Sequence, residues 1–581
     1  AFCAIYLWRM NLMTYPGFPL DDSWIHQVFA RNIAGGHGFS FNPGVPIAGA
    51  TAPLWTLLLV PAWLLLGPIT GGIASGMFAQ WLALLAIYKL TEQLTNDRSL
   101  AFLASVLSAL CWPVVWGALS GMEIGLYSAL SLWGLYFYFK SSSLDDRYSY
   151  LSYFLFALAF LARPECGILL AAAFIHDLYT WIKSGYKKNI HWLIKLFIIA
   201  VIILPYFSFN FKTSGTFFPR TFSYKVQDQG LLASISEVNP KGIIKALTIL
   251  PLHYSRLILY SLIKLNPVLL CAVLAGIVWV MKRASGDFSK RLFLILIVVL
   301  YIPILGSVAP AASPDYQNYR YITNLLPLFV TLSVVGILCF QEKKLGRIFL
   351  YSGAILISSM LLIKIIFALF GDYIIALTIQ DPANINDEYL KTVDKFITRM
   401  LFDFAVILLL YLMAGFILTT GFWHRLINNR LFRSMVIALL ILFSAGSCLY
   451  HSAVYATNVK NVNERNVDAA IFLRTLANES DIVAVNDAGA AGYFSSMEIT
   501  DLKGIISTDI TIEMVNDDSV AFEYLSRSKR VDYLAIAPDW FDYIPSRTDV
   551  FKEIASFITE KNLIVYGDTT RIYRADWTEI E

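Results

Sequence analysis

Residues 16–44 read PGFPLDDSWIHQVFARNIAGGHGFSFNPG, lying between a short apolar run, AFCAIYLWRMNLM (residues 1–13), and a second one, TAPLWTLLLVPAWLLLG (residues 51–67). From Asp22 onward the apolar residues Trp24, Ile25, Val28, Phe29 and Ile33 recur at helical spacing, with Ser23, His26, Gln27 and Arg31 on the other face. That pattern predicts an amphipathic helix lying on a membrane surface. Asp21 and Asp22 fall at its N-terminus, where unpaired backbone N–H groups and the helix dipole favour an ionised carboxylate. An ordinary helix cap accounts for one aspartate. Two adjacent carboxylates repel each other unless a partner or a proton offsets the repulsion, which marks the pair as a candidate catalytic base.

The rest of the chain confirms the membrane setting. Of 581 residues 57% are apolar and 15% charged, and the mean hydropathy is +0.61, against roughly 45–50% apolar and about 25% charged in a soluble domain. Apolar runs near the length of a bilayer span recur to about residue 452, which excludes a soluble enzyme, a fibrous protein and a disordered chain. They lack the alternation of an outer-membrane barrel. The expected fold is a polytopic α-helical membrane protein with spans near residues 1–14, 73–90, 100–118, 123–139, 148–162, 165–182, 190–211, 257–281, 292–309, 321–340, 348–370, 401–423 and 434–452. The opening run is short for a span, which suggests a truncated first helix, and no signal-peptide cleavage pattern follows it.

The Pro-interrupted run 51–67 decides the topology, because counting it as a span would invert every later loop. The short loops carry Lys89/Arg98, Lys140/Arg147, Lys183/Lys187/Lys188, Lys282/Arg283/Lys290/Arg291, Lys343/Lys344/Arg347 and Arg425/Arg430/Arg433, and the positive-inside rule assigns them together to the cytoplasm only if 51–67 does not cross. The loops 15–72, 212–256 and 371–400 and the C-terminal tail are then external. Residues 1–452 form the expected membrane module and 453–581 an external domain. The tail is acidic, with 12 Lys+Arg against 22 Asp+Glu. Its NVDAAIFLRTLAN reads as a helix, DIVAVN and VDYLAIA as strands, VFKEIASFITEKN as a helix, and LIVYG and TRIYRA as strands. This is a small α/β domain.

The six cysteines (Cys3, Cys111, Cys166, Cys271, Cys339, Cys448) all lie in apolar segments, so they read as core residues without a disulfide or zinc spacing. His26, one turn beyond Asp22, can pair with it or be solvated, and no zinc-binding histidine pattern accompanies it. Arg163, Lys225 and Arg320 fall at external ends of spans or in external loops. Each is suited to a phosphate, Arg by forked contact and Lys as a point charge, with a snorkelling interfacial cation as the alternative. Glu165 is a possible partner of Arg163. Lys225 is flanked by Phe217, Phe218, Phe222 and Tyr224, and Arg320 by Tyr319 and Tyr321 at the expected head of a helix.

DDSWIHQVFARNIAGGHGFSFNPG, GATAPLWTLLLVPAWLLLG, SGMEIGLYSAL, LARPECGILLAA, SGTFFPRTFSYKV and NYRYITNLLPL, in that order, resemble the GT-C superfamily of polyprenyl-phosphate-sugar glycosyltransferases. The resembling branch is that of the bacterial cell envelope, which includes arabinofuranosyltransferases and is related to lipid A aminoarabinose transferases and protein O-mannosyltransferases. The likeness extends to NDAGAAGYFSSMEITDLKG in the tail. It implies an inverting transfer at the outer face of the bacterial inner membrane, from a polyprenyl-phosphate sugar to a hydroxyl of a glycan, glycolipid or protein. The acidic pair of the family matches Asp21 and Asp22, with Asp21 the expected base, and the acid of its second external loop matches Glu123. The chain departs from the family pattern at Ser23-Trp24, where Ala-Tyr is frequent, at Arg220, where Asn is, and at Cys166, where Gly is.

The donor phosphate is expected between Lys225 and Arg320, with Arg163 nearby; no cofactor is expected, a divalent cation held by Asp21, Asp22 and Glu123 is possible but not favoured, and nucleic acid is not among the partners. The competing readings are a transporter or flippase for a lipid-linked substrate, which calls for ionisable groups at the bilayer midplane and a duplicated architecture, a non-catalytic glycan-binding assembly subunit, and a polymerase or ligase using lipid pyrophosphate donors.

Overall fold

The computed structural model describes residues 1–141, 147–183, 189–221, 230–265, 267–310, 317–339 and 430–580, the last apart from residues 477 and 479. The spans expected near 348–370 and 401–423, the loop 371–400, Lys225 and the basic residues at 187–188, 343–347 and 425 lie outside the described residues.

Helix dominates because a backbone in hydrocarbon must satisfy its own N–H and C=O groups. α1 (Phe2–Met13) is followed by α2 (Asp22–Ala34), α3 (Pro53–Leu66) and α4 (Pro68–Thr95). Gly67 separates the last two with φ 75, a left-handed conformation that suits glycine, and Pro68 opens α4 where its missing N–H costs nothing. Residues 53–66 are therefore helical, but 14 residues rise only about 21 Å, short of the roughly 30 Å hydrocarbon core.

α2 is not the surface helix that its periodicity predicted. Ser23, His26 and Gln27, read as an outward polar face, are 0%, 4% and 0% exposed. Polar groups are buried at low cost when partners meet them. Here Ser23 donates to the carbonyl of Ser120 at 2.7 Å, His26 Nδ1 lies 2.9 Å from Thr56 Oγ1, and Arg31 donates to the carbonyls of Gly492 and Tyr493.

The span expected at 100–118 is two helices, α5 (Arg98–Ala109) and α6 (Trp112–Leu119), bent by 62°. Pro113 lacks the N–H that a continuous helix requires and disfavours helical geometry before it. α7 (Ile124–Lys140), α8 (Arg147–Ala162), α9 (Gly167–Lys183) and α10 (Asn189–Ser214) lie within a few residues of expectation. The loop expected at 212–256 instead holds α11 (Leu231–Ser236) and the start of α12 (Pro240–Leu265), and the expected span 257–281 is divided between α12 and α13 (Pro267–Arg283). α14 (Phe288–Val308) follows.

α15 (Leu326–Cys339) begins later than the expected 321, at a Leu-Pro pair that fixes its first turn. Arg320 therefore sits in a chain of turns before the helix, where Gln317, Asn318 and Tyr319 all have positive φ. α16 (Arg430–Val462) has 33 residues and runs without a break through 452. At about 50 Å it reaches beyond a bilayer core and carries the chain into the C-terminal domain. Among the described residues five helices are long and apolar enough to cross a membrane, or six counting the bent α5–α6 pair.

The C-terminal domain contains α17 (Asp468–Leu476), β1 (Ile482–Val485), α18 (Ala488–Phe494), β2 (Glu498–Asp501), α19 (Ile512–Asn516), α20 (Asp518–Arg527), β3 (Tyr533–Ile536), β4 (Phe551–Ile558) and β5 (Thr569–Ala575). The sheet order is β2-β1-β3-β5-β4, parallel among the first three strands and antiparallel at β3–β5 and β5–β4. VFKEIASFITEKN, expected as a helix, is the edge strand β4. It pairs with β5 from Phe551–Ala575 to Ile558–Thr569 across a bulge between Glu553 and Ala555, and this long-range pairing overrides a helical reading of mixed residues. LIVYG, expected as a strand, is a loop held by the Asn562 amide on the carbonyls of Val565 and Gly567.

One face of the sheet packs on α20 through Leu525, Leu534, Ile536 and Phe551. The other meets α2 and the loop after it, so Val28, Phe29, Phe41 and Ile47 share a core with Val483, Val485, Ile499 and Ile572. Each such side chain contributes about 1.5–3 kcal/mol of apolar burial. The tail and the acidic loop are thereby joined.

Candidate functional site

A cavity of about 470 Å³ opens where the helical module and the C-terminal domain meet, within the size range of small-molecule sites. Asp21, Asp22, His26, Glu123, Arg163 and Arg320 all line it.

Asp21 occupies the N-cap position of α2, yet its side chain makes no bond to that helix. It turns to the C-terminal domain, where Oδ2 accepts from Gly489 N–H at 2.7 Å and Oδ1 from Ala490 N–H at 2.9 Å. The residue is half-buried and lines the cavity. Burial and, next, the Asp487 carboxylate push its pKa up to about 7, against the lowering effect of the two N–H groups. An acid poised near neutrality can exchange a proton at working pH.

Asp22 takes the opposite role. Its Oδ2 accepts from Arg320 Nη1 at 2.8 Å while its side chain stays 44% exposed. Arg320, nearly buried, also donates through Nη2 to Tyr321 Oη at 3.1 Å.

Glu123, just before α7, pairs through Oε1 with Arg163 Nη1 at 2.9 Å, and Arg163 Nη2 pairs with Glu165 Oε1 at 3.3 Å. The Arg163 guanidinium lies 4.5 Å over the Tyr321 ring. All three charged side chains are at most 5% exposed. Arg163 thus serves two glutamates and is not left as an interfacial cation. His26 does not pair with Asp22; its Nδ1 meets Thr56, and its Nε2 faces Glu123 at 3.7 Å without a hydrogen bond. Burial lowers its pKa, opposed by Glu123 and Asp22, which keeps the imidazole neutral. Among the described residues no three His, Cys, Asp or Glu side chains gather as a metal site.

The C-terminal wall, comprising Asn486, Asp487, Lys503, Trp540 and Tyr566 among others, was not read from the sequence as part of the site. The signal available was NDAGAAGYF: its glycines permit close approach, but the partner is Asp21. A Cβ on Gly489 would stand 2.1 Å from the Asp21 carbonyl oxygen and 2.7 Å from Oδ2. Gly489→Ala is therefore expected to push the carboxylate off its two donors, and a displacement near 1 Å costs on the order of 10²-fold in rate. Steady-state transfer by the variant checks this; an unchanged rate would mean that the contact is not catalytic. Arg220, one of the departures from the family pattern, donates to the carbonyls of Ser507 and Ile510 and fastens the helical module to the same domain.

These features define a polytopic α-helical membrane protein with a small C-terminal α/β domain and a cavity between the two. Its fold is that of the GT-C glycosyltransferases. The chain is similar to ArnT from Cupriavidus metallidurans bound to undecaprenyl phosphate, at 13% identity and a TM-score of 0.52, covering 98% of this chain and 96% of that one. The apo state of ArnT matches at 12% identity and a TM-score of 0.54, with 99% and 97% covered. A mycobacterial arabinofuranosyltransferase, AftD, matches at 13% identity and a TM-score of 0.40, covering 99% of this chain and 39% of that one. Residues 455–580 match a domain of unknown function, DUF8728. No curated protein matches the chain.

Proposed function

We propose that the chain is an inverting glycosyltransferase that moves a sugar from a polyprenyl-phosphate donor to a hydroxyl of a cell-envelope glycan, glycolipid or protein, at the external face of the bacterial inner membrane. The observation that carries this reading is Asp21: a carboxyl aimed by two backbone N–H groups, in a cavity it shares with Arg320, where burial and the Asp487 carboxylate push its pKa up.

In the proposed step Asp21 takes the proton of the acceptor hydroxyl as its oxygen bonds to the anomeric carbon. The bond from that carbon to the phosphate oxygen breaks, and the electron pair leaves with the lipid phosphate, inverting the centre. Arg320, with Lys225 from the sequence that follows α10, offsets the charge that develops on phosphate. The Arg163, Glu123 and Glu165 triad fixes the floor beside them. A donor of this class is supported by the fold shared with a protein bound to undecaprenyl phosphate. The C-terminal domain is assigned to the external side, where it meets the acceptor.

The test is a transfer assay with purified full-length protein, a panel of polyprenyl-phosphate sugars and envelope glycans. Release of polyprenyl phosphate with an inverted glycoside is expected from one donor. Turnover of a lipid pyrophosphate instead would move the chain to the polymerase or ligase class, and vesicle transport without bond cleavage would make it a flippase.

A further inference from the structure

The cavity has two unlike walls. On the helical side the cations already face carboxylates, Arg163 with Glu123 and Glu165, and Arg320 with Asp22. On the C-terminal side the donors are unmatched. Asn486 is 6% exposed, and its Oδ1 accepts from Ala537 N–H at 2.8 Å, which fixes the amide. Its Nδ2 has no hydrogen-bond partner among the described residues, and neither has the buried Trp540 Nε1.

Lys503 is held in place without an ion pair among the described residues. Asp501 accepts the N–H groups of Lys503, Ile505 and Ile506, pinning the loop, and the ammonium rests 4.1 Å over Trp540 and 5.1 Å over Phe541. Tyr566 stands edge to face with Trp540 at 4.8 Å and is 59% exposed. Asp487 adds a carboxylate whose Oδ2 accepts from Arg465 at 2.5 Å, its side chain still 31% exposed.

We propose that this wall, formed by Asn486, Asp487, Lys503, Trp540 and Tyr566, binds a neutral sugar ring of the acceptor. The assignment rests on the transferase reading for the word acceptor, but the binding chemistry stands on the wall itself. Sugar hydroxyls donate and accept at once, so one ring can meet the free N–H donors of Asn486, Trp540 and Lys503 and the Asp487 carboxylate together. Its C–H face is covered by aromatic carbon. A phosphate would satisfy the donors but would stand against Asp487 and Asp501, both of which line the same wall. An apolar chain would leave every donor unmatched. Gly489 and Ala490, at the start of α18 just after Asp487, hold the Asp21 carboxylate, so a ring seated here lies on the same element that aims the proposed base.

The experiment measures binding of neutral, unsubstituted pentose and hexose oligosaccharides to the full-length protein, in a sugar-free detergent, by saturation-transfer NMR. Undecaprenyl phosphate binding and the melting temperature are measured in parallel. At least one oligosaccharide should bind at millimolar concentration, and Lys503→Met and Tyr566→Ala should each weaken it by roughly tenfold, with undecaprenyl phosphate affinity and melting unchanged. The proposal is overturned if no neutral oligosaccharide binds, or if both variants bind it like the parent. It is equally overturned if Lys503→Met loses undecaprenyl phosphate and keeps the sugar, which would make Lys503 a phosphate ligand. Sugar binding that depends on these residues, in a protein that transfers nothing from any polyprenyl-phosphate donor, would uphold the subsite while removing the transferase reading.

Discussion

Asp21→Asn is expected to lower transfer by roughly 10²–10⁴-fold, the contribution of a general base, while the protein still reaches the membrane and folds. The amide cannot take a proton. It also presents an N–H₂ group to one of the two backbone donors at Gly489 and Ala490, which leaves that donor without its acceptor. Asp22→Asn should impair the proposed transfer differently, by removing the carboxylate that now pairs with the Arg320 head.

The pH dependence separates base from structural clamp. Because burial raises the Asp21 pKa to about 7, the proton-accepting form grows as pH rises through neutrality, and the parent's rate should climb with pH and level off above that point. Stability should move the other way. The folded carboxyl holds its proton more tightly than the unfolded one, whose value is near 3.8, so this group's contribution is fully present at low pH and is lost between about pH 4 and 7. Asn at 21 removes both trends. Normal turnover in the Asp21 variant with Asp22 essential would exchange their roles; normal turnover in both would end the mechanism.

What the sequence made legible follows from which interactions are local. Helix α2 was readable because a 3.6-residue apolar period lies in thirteen consecutive residues, and β1 and β3 because buried strands are short apolar runs. The fate of the other face of α2 was not readable. Whether Ser23 and His26 meet water or Ser120 and Thr56 depends on segments 30 to 97 residues away. The edge strand β4 failed for the same reason: its partner lies past a loop, and Lys552, Glu553 and Ser556 read equally well on a helix. The acidic pair stood out, and so did the separate value of Glu123. That Asp21 is aimed by two backbone N–H groups some 468 residues away had no side-chain signature, since backbone donors leave no mark in the sequence beyond the glycine that lets them approach.

The largest stability effect is expected from Arg163→Met. It removes the shared cation of Glu123 and Glu165, whose side chains are 5% and 2% exposed, and leaving buried carboxylates without their partner typically costs 3–5 kcal/mol. The apparent melting temperature in detergent should fall accordingly. His26 then becomes informative: in the parent, burial dominates and Arg163 adds to the lowering of its pKa, while Glu123 opposes it. With the arginine gone, one of the charges that lower the His26 pKa is removed while Glu123 stays 3.7 Å from the ring, so the pKa rises from its value in the parent. Because that rise makes protonation of the folded variant less costly than protonation of the folded parent, the gap in melting temperature between variant and parent should narrow in mild acid relative to neutral pH. Replacing all three charges, Arg163→Met with Glu123→Gln and Glu165→Gln, should recover most of the loss, because a buried ion triad is weakly stabilising relative to a neutral set of similar volume. If the triple variant regains its melting temperature but not its transfer rate, the triad shapes the cavity floor rather than holding the fold together. If the single variant melts like the parent at every pH, the three side chains are hydrated and do not form a buried ion cluster.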